Sequence, residues 1–171
     1  MRIEKVFNAN VYLDGTNSLV GRAGEVVLPE IAAEMSEHKG LGMFGKVELP
    51  SGIAALVMNI KWLGFYADQV LAGANPFKSH KLQIRANHEA YEAGGRVEEK
   101  PLVILATASW KKSPLGTITP GTATEHTDEL AVTYLKVSLA GRELLEIDVL
   151  ENVWRVDGVD ILAATRANLG G

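Results

Sequence analysis

Residues 40–46 spell G-x-x-x-x-G-K, the first seven positions of a phosphate-binding loop. That chemistry requires a Ser or Thr hydroxyl at the next position, to bind magnesium, and a helix N-terminus to face the phosphate. Val47 carries no hydroxyl, and Glu48, Leu49 and Pro50 do not favour the start of a helix. The pattern therefore favours a structural loop over a nucleotide site.

The histidines and carboxylates do not form a catalytic or metal-binding pattern either. The chain has no cysteine, and its histidines show no His-x-His or His-x-x-x-His spacing. We therefore expect all four to lie at the surface: His38, His80, His88 and His126. A G-x-S-x-G nucleophile motif is absent, and the paired acids Glu98 and Glu99 have no apolar surroundings in the sequence that would perturb them. The sequence predicts no catalytic residue, no metal site and no cofactor.

Composition indicates an ordinary globular chain. It has 171 residues, 47% hydrophobic and 22% charged, with a formal net charge of −4. We expect one domain spanning residues 1–171. The acidic balance argues against broad phosphate-driven binding of nucleic acid. The first ten residues lack the apolar core of a signal peptide, and no run is long enough to span a membrane, so we expect neither export through the Sec pathway nor a membrane partner.

Charge is unevenly distributed along the chain. Residues 125–151 carry seven acidic and two basic side chains, whereas residues 78–112 carry seven basic and four acidic ones. Two interpretations are open: two solvated strand faces, or complementary surfaces between identical subunits.

The elements that position these residues are mostly strands. Asn8 to Leu13 leads into a reversal at Asp14-Gly15-Thr16-Asn17, predicting a hairpin whose return arm runs over residues 19–28. Further strands are predicted near residues 32–39 and 46–49, with a break at Pro50-Ser51-Gly52, and over residues 53–62. The alternation in residues 79–91 predicts a long half-exposed strand. The apolar run 102–106 predicts a strand that is covered on both faces or that lies at an interface. Residues 113–124 read as a flexible loop, and residues 134–149 form a clear hairpin around Ala140-Gly141.

Two short helices complete the prediction. One spans residues 65–72, with Asp68 in its first turn and Gly73 at its end. The other begins at Asp157 or Gly158 and ends at Asn168, with Asp157 as its N-cap and with Val159, Ile161 and Leu162 buried against the sheet.

The loop of residues 40–45 is unusual because its bulky residues are all apolar. Leu41, Met43 and Phe44 are separated by glycines, whereas the loop tips of monomers are usually polar. We expect another subunit to cover this loop, an inter-subunit or ring-stacking element formed by Gly40, Leu41, Gly42, Met43, Phe44 and Gly45.

Segments at both ends of the chain resemble a known family. They are residues 7–15 (FNANVYLDG), 28–31 (LPEI), the loop 40–45, then 134–137 (YLKV), 141–148 (GRELLEID), 155–163 (RVDGVDILA) and 166–170 (RANLG). In this order and spacing they are similar to the major tail tube proteins of P2-like contractile phage tails and R-type bacteriocins. Residues 74–128 match less well.

The resemblance implies a mainly β fold, a β-sandwich or barrel-like tail-tube subunit that forms stacked hexameric rings around a lumen inside a sheath. The partners it implies are copies of the chain itself, the tail sheath protein, baseplate and tail terminator proteins, and double-stranded DNA that passes without specific binding. Its place would be the virion tail tube, assembled in the cytoplasm of a bacterial host. Charges expected to line the lumen or an interface are Lys81, Arg85, Glu89, Arg142, Glu146 and Asp148.

Two rival interpretations are open at this point. The tube protein of type VI secretion forms the same kind of hexameric ring, and neighbouring genes would discriminate it. A monomeric β-sandwich that binds carbohydrate would need clustered exposed aromatic residues, but Trp62, Trp110 and Trp154 are widely spaced in the sequence.

Overall fold

The computed structural model describes residues 1–15 and 17–170, which form a mainly β structure with two short helices. The strands are β1 (Ile3–Leu13), β2 (Asn17–Ser18), β3 (Ala23–Val27), β4 (Ala33–His38), β5 (Val47–Ile53), β6 (Leu56–Trp62), β7 (Ser79–Glu92), β8 (Gly95–Lys112), β9 (His126–Leu139), β10 (Arg142–Asp148), β11 (Val153–Val156) and β12 (Val159–Asp160). The helices are α1 (Ala67–Gly73) and α2 (Ala163–Asn168). The predicted fold class is confirmed.

One antiparallel sheet contains ten of these strands, in the order β12-β11-β10-β9-β8-β7-β1-β2 with a branch at β9. The first half of β9 pairs with β6, which pairs with β3, and the second half pairs with β10. Two strands can pair with the same edge of β9 because β9 is 14 residues long. The register of β9 against β8 shifts after Thr107, where the two halves meet. Strands β4 and β5 form a separate two-stranded sheet.

The core lies on one face of the long strands. Alternate residues of β6 to β9 are buried there because successive side chains of a strand point to opposite faces. The largest buried apolar side chains include Trp62, Met58, Ile60 and Leu130. Leu82 and Ile84 of β7 are buried as the alternation predicted. Leu102, Val103 and Leu105 of β8 are only half-buried, so this strand is not covered on both faces within the subunit, and its place at an interface stays a prediction.

The first predicted hairpin is only partly correct. The chain does reverse at Asp14 and Gly15, which have φ values of 49° and 97°. Only the two-residue strand β2 returns along β1, while β3 pairs with β6 instead. Thr16 of the predicted reversal lies outside the described residues.

Pro50 does not interrupt its strand as predicted. β5 continues through it, with a register shift opposite Glu34 and Met35. Pro50 is tolerated because a strand at a sheet edge leaves one side of its backbone unpaired.

The helix predictions also need correction at the C-terminus. Helix α1 lies within two residues of its predicted bounds. The second helix is shorter than predicted, because Asp157 and Gly158 adopt φ values of 50° and 78° and turn the chain into β12 instead of capping a helix. Helix α2 buries none of its residues, and Val159 and Ile161 are exposed. No helix in the described part of the chain has the length and apolar character that would cross a membrane.

Candidate functional site

The apolar loop connects β4 to β5 at the end of a hairpin that is exposed along nearly its whole length. The side chains of Leu41 and Phe44 are fully exposed in the subunit. Met43 behaves differently, because its Sδ accepts the N–H of Gly40 at 3.1 Å and its side chain folds back over the loop. Val47 opens a strand, so no helix N-terminus follows Lys46. We call residues 39–46 the tip loop.

The charged residues predicted on β7 lie on the same face of the strand but differ in burial. Lys81 and Arg85 are exposed on the face opposite the core. Glu89 lies on the same face but is fully buried, which corrects its prediction as a displayed charge. Tyr91 donates to Glu89 at 2.7 Å and is the main cause of its lowered pKa; Arg96, at 2.8 Å, lowers it further against the opposing effect of burial.

The charges predicted on β10 are divided between two faces. The register against β9 shifts between Glu143 and Leu145, and this bulge places Arg142 on the opposite face from Glu146. Arg142 instead binds Asp157, with Nε to Oδ1 at 2.7 Å and Nη2 to Oδ2 at 2.6 Å. Simple alternation is therefore wrong for this strand.

Glu146 is the centre of a compact ionic cluster rather than a free surface charge. Tyr134 donates to its Oε1 at 2.8 Å, and Arg155 donates to its Oε2 at 2.6 Å. Burial alone would raise the pKa of Glu146, but these hydrogen bonds hold it below its ordinary value. Asp148 has a local role, because its Oδ1 accepts the backbone N–H groups of Leu150 and Glu151 at 3.1 Å each.

Exposed apolar side chains collect at both edges of the main sheet. At one edge, β1 exposes Ile3, Val6 and Phe7. At the other edge, the exposed apolar residues are Val156, Val159 and Ile161. Single exposed apolar residues are normal, but sets at opposite sheet edges indicate surfaces that become covered on association.

A buried polar cluster escaped the sequence analysis. Oδ2 of Asp128 accepts the indole N–H groups of Trp62 at 2.9 Å and Trp110 at 2.7 Å, and the amide of Gln69 at 2.7 Å. Asp128 is fully buried, and Gln69 belongs to α1, so the cluster fastens that helix to the sheet. The sequence holds only a partial signal for this cluster: His126 and Asp128 are four and two residues before Leu130 and therefore share its strand face.

Two histidines contradict the prediction that all four are exposed. His80 and His126 are buried, since they share strand faces with core residues. His80 packs edge-on against Trp110 with ring centroids 5.2 Å apart. Within residues 1–15 and 17–170, no three His, Asp or Glu side chains are grouped so that they could hold a metal ion.

The chain is similar in sequence to proteins of one known family. Residues 3–170 match the family model described as phage tail tube protein FII. The tail tube protein of Escherichia phage P2 is 27% identical over 165 residues, covering 94% of each chain. The major tail tube protein of Serratia phage KSP20 is 26% identical over 151 residues, covering 88% of this chain and 86% of the relative.

A solved structure shares the fold. It is a chain from the cryo-EM structure of an extracellular contractile injection system, a PVC sheath-tube complex in the extended state. The TM-score is 0.50 at 12% identity, and the match covers 79% of this chain and 89% of that chain. The chain belongs to the phage tail tube protein FII family and is a structural tail tube protein, not an enzyme.

Proposed function

We propose that this chain is the subunit of the inner tube of a contractile phage tail or R-type bacteriocin, and that its copies form hexameric rings stacked around a lumen inside a sheath. One observation carries the proposal: both edges of the main sheet expose apolar side chains, and those edges differ from each other. Joining the β1 edge of one copy to the β12 edge of the next would cover both.

The physical gain from such a contact is substantial. Complete burial of one large apolar side chain contributes about 1.5–3 kcal/mol, and each edge supplies three side chains that have about half to two-thirds of that burial still to gain. Because the two edges differ, their contact is heterologous, and such contacts close into a ring when the rotation between copies is suitable. Ring closure would also protect β1, whose edge away from β7 pairs only at Tyr12 and Leu13 in the described residues.

The face opposite the core would line the lumen. It carries Lys81 and Arg85 on β7, and the cluster around Glu146 on β10. We infer that Glu89 and Arg142 do not contribute free charge to this wall, since Glu89 is buried and Arg142 lies on the other face. Double-stranded DNA would pass through this lumen without specific binding.

The remaining partners follow from the same proposal. The outer wall would contact the tail sheath protein, and the ends of the tube would contact baseplate and tail terminator proteins. The family match supports a place in the virion tail tube. We infer that the tube assembles in the host cytoplasm. The hexameric tube of type VI secretion is the alternative, which neighbouring genes would discriminate.

Complementary edge variants test the head-to-tail contact. Phe7→Glu disables the β1 edge, and Val159→Glu disables the β12 edge. Each variant alone should stay monomeric in sedimentation, whereas an equal mixture should form dimers of one copy of each, because one intact edge of each kind remains. Leu71→Glu, at a highly exposed position of α1, is the control and should still form rings. Normal rings from either edge variant, or a mixture that stays monomeric, would contradict the proposal.

A further inference from the structure

The two oxygens of the buried Asp128 carboxylate have very different surroundings. Oδ2 accepts three N–H groups, from Trp62, Trp110 and Gln69, at 2.7–2.9 Å. Oδ1 is also buried, but it accepts no hydrogen bond from any described residue. A buried acceptor without a donor is costly, and the cost is larger for a charged group. Oδ1 therefore requires a donor inside the core.

Two further polar atoms of the same cluster lack partners. Oε1 of Gln69 and Nε2 of His126 are buried and form no hydrogen bond with any described residue. Nε2 of His126 lies 4.0 Å from Oδ1 of Asp128, which is too long for a direct hydrogen bond. A separation of this size between two polar atoms is one that a single water can bridge. The cluster thus presents two acceptor oxygens and one ring nitrogen that can donate.

The cluster also reaches both ends of the segment 113–125, which connects β8 to β9 without helix or strand. The amide of Gln69 donates to Oγ of Ser113 at 2.9 Å, where the segment begins. Near its other end, the carbonyl oxygen of Thr124 lies 3.4 Å from Nδ1 of His126. A group that joins Gln69 to His126 would therefore fix both ends of this segment to the core.

We propose that one water molecule binds in the core between Asp128, His126 and Gln69. Its two hydrogens are donated to Oδ1 of Asp128 and Oε1 of Gln69, and its oxygen accepts the Nε2–H of His126. Each orphaned atom then has a partner, and three hydrogen bonds are typical of a buried water. Ca²⁺ and Mg²⁺ fit less well, because they need more oxygen ligands than the two that this site offers.

The position of the His126 proton follows from this arrangement. Both hydrogens of the water are used by oxygens, so Nε2 must carry a proton. The contact of Nδ1 with Thr124 is at the long limit of a hydrogen bond and does not fix the tautomer by itself. The inference does not depend on the proposed tube function, since the site lies inside one subunit.

A crystal or cryo-EM structure of the full chain that resolves ordered water tests the site directly. One water oxygen should lie within hydrogen-bond distance of Nε2 of His126, Oδ1 of Asp128 and Oε1 of Gln69. A direct hydrogen bond between Nε2 and Oδ1, a dry gap or a metal ion at this position would overturn the inference. Nitrogen chemical shifts that show an unprotonated Nε2 would contradict the assigned hydrogen bonds.

Substitution of His126 provides a second measurement in solution. His126→Phe removes the donor, and its larger ring would occupy the place of the water. Magnetic relaxation dispersion of water oxygen counts long-lived internal waters, and the variant should show one fewer than the wild type. His38→Phe is the matched control, because His38 is exposed on β4 and its loss should leave the count unchanged. An unchanged count in folded His126→Phe would contradict the proposal.

Hydrogen exchange tests what the water does for the segment 113–125. In His126→Phe, amide exchange between residues 115 and 124 should become about tenfold faster, as expected for loss of one set of bridged hydrogen bonds. Exchange in β7 should stay at the wild-type rate, and His38→Phe should change neither region. Unaltered exchange of the segment in His126→Phe would show that the cluster does not hold it.

Discussion

The carboxylate of Asp14 binds the imidazole of His80, with Oδ2 lying 2.7 Å from Nδ1. Oδ1 of Asp14 also accepts the backbone N–H of Lys81 at 2.9 Å. The turn that ends β1 is therefore fastened to the start of β7. His80 packs against Trp110, so this link extends from a surface turn into the core.

Asp14→Asn should reveal a pH-dependent contribution to stability. Burial acts to raise the pKa of Asp14, but the hydrogen bonds from His80 and Lys81 outweigh it and lower the pKa. A carboxylate whose pKa falls on folding stabilises the protein above its unfolded pKa, about 3.9, and this contribution is lost as pH drops through the folded value. We expect the variant to be less stable at pH 7, with the gap closing below about pH 4. Asn tolerates the positive φ of this turn, so the change mainly removes charge. Urea unfolding that gave the same gap at pH 7 and pH 3 would refute this.

Asp128→Ala should strongly destabilise the subunit. It would leave the buried N–H groups of Trp62, Trp110 and Gln69 without an acceptor, and each such loss typically costs about 1–3 kcal/mol. We expect a total loss of at least about 3 kcal/mol in the free energy of unfolding, measured by urea denaturation. The adjacent Glu129→Ala is the control, because its ion pair with Lys111 lies at the surface, where such pairs contribute little to stability. Equal effects of the two changes would contradict the assigned role of Asp128.

Deletion of residues 163–171 should weaken tube assembly while leaving the subunit folded. Helix α2 buries no residue, and its described anchors are two hydrogen bonds from Arg166, to Asn152 and Asp160. The deletion should therefore cost the subunit about 1 kcal/mol or less. Tube formation should weaken because the exposed β12 edge loses its neighbouring helix. A large drop in melting temperature would show that the C-terminus contributes to the fold itself.

Leu41→Ser/Phe44→Ser should leave the subunit folded and prevent tube growth. Both side chains are fully exposed in the subunit, so their loss removes no internal packing. Phe77→Ser, another highly exposed position, is the control and should still assemble. Thermal melting and light scattering measure the two properties. Normal polymerisation of the double variant would show that the tip loop is not an assembly element.

Sequence patterns predicted the structure best where it depends on neighbouring residues in the chain. The hairpin of β9 and β10, which turns at Gly141 with a φ of 81°, was predictable because alternation and glycine placement are local signals. The pairing of β3 with β6 was missed because turn chemistry does not determine distant partners. The sequence could not show that Arg142 and Glu146 lie on opposite faces, because a one-residue bulge reverses the face and leaves no clear mark in the sequence. Asp128 was missed because its burial depends on two tryptophans from other strands.

Cryo-electron microscopy of the purified protein at assembly concentration tests the central claim most directly. The account predicts hollow tubes of stacked six-membered rings, with the apolar edge residues Phe7 and Val159 buried between neighbouring copies and the face that carries Lys81 and Arg85 toward the lumen. Monomers at every concentration tested, or rings joined by like edges, would contradict it.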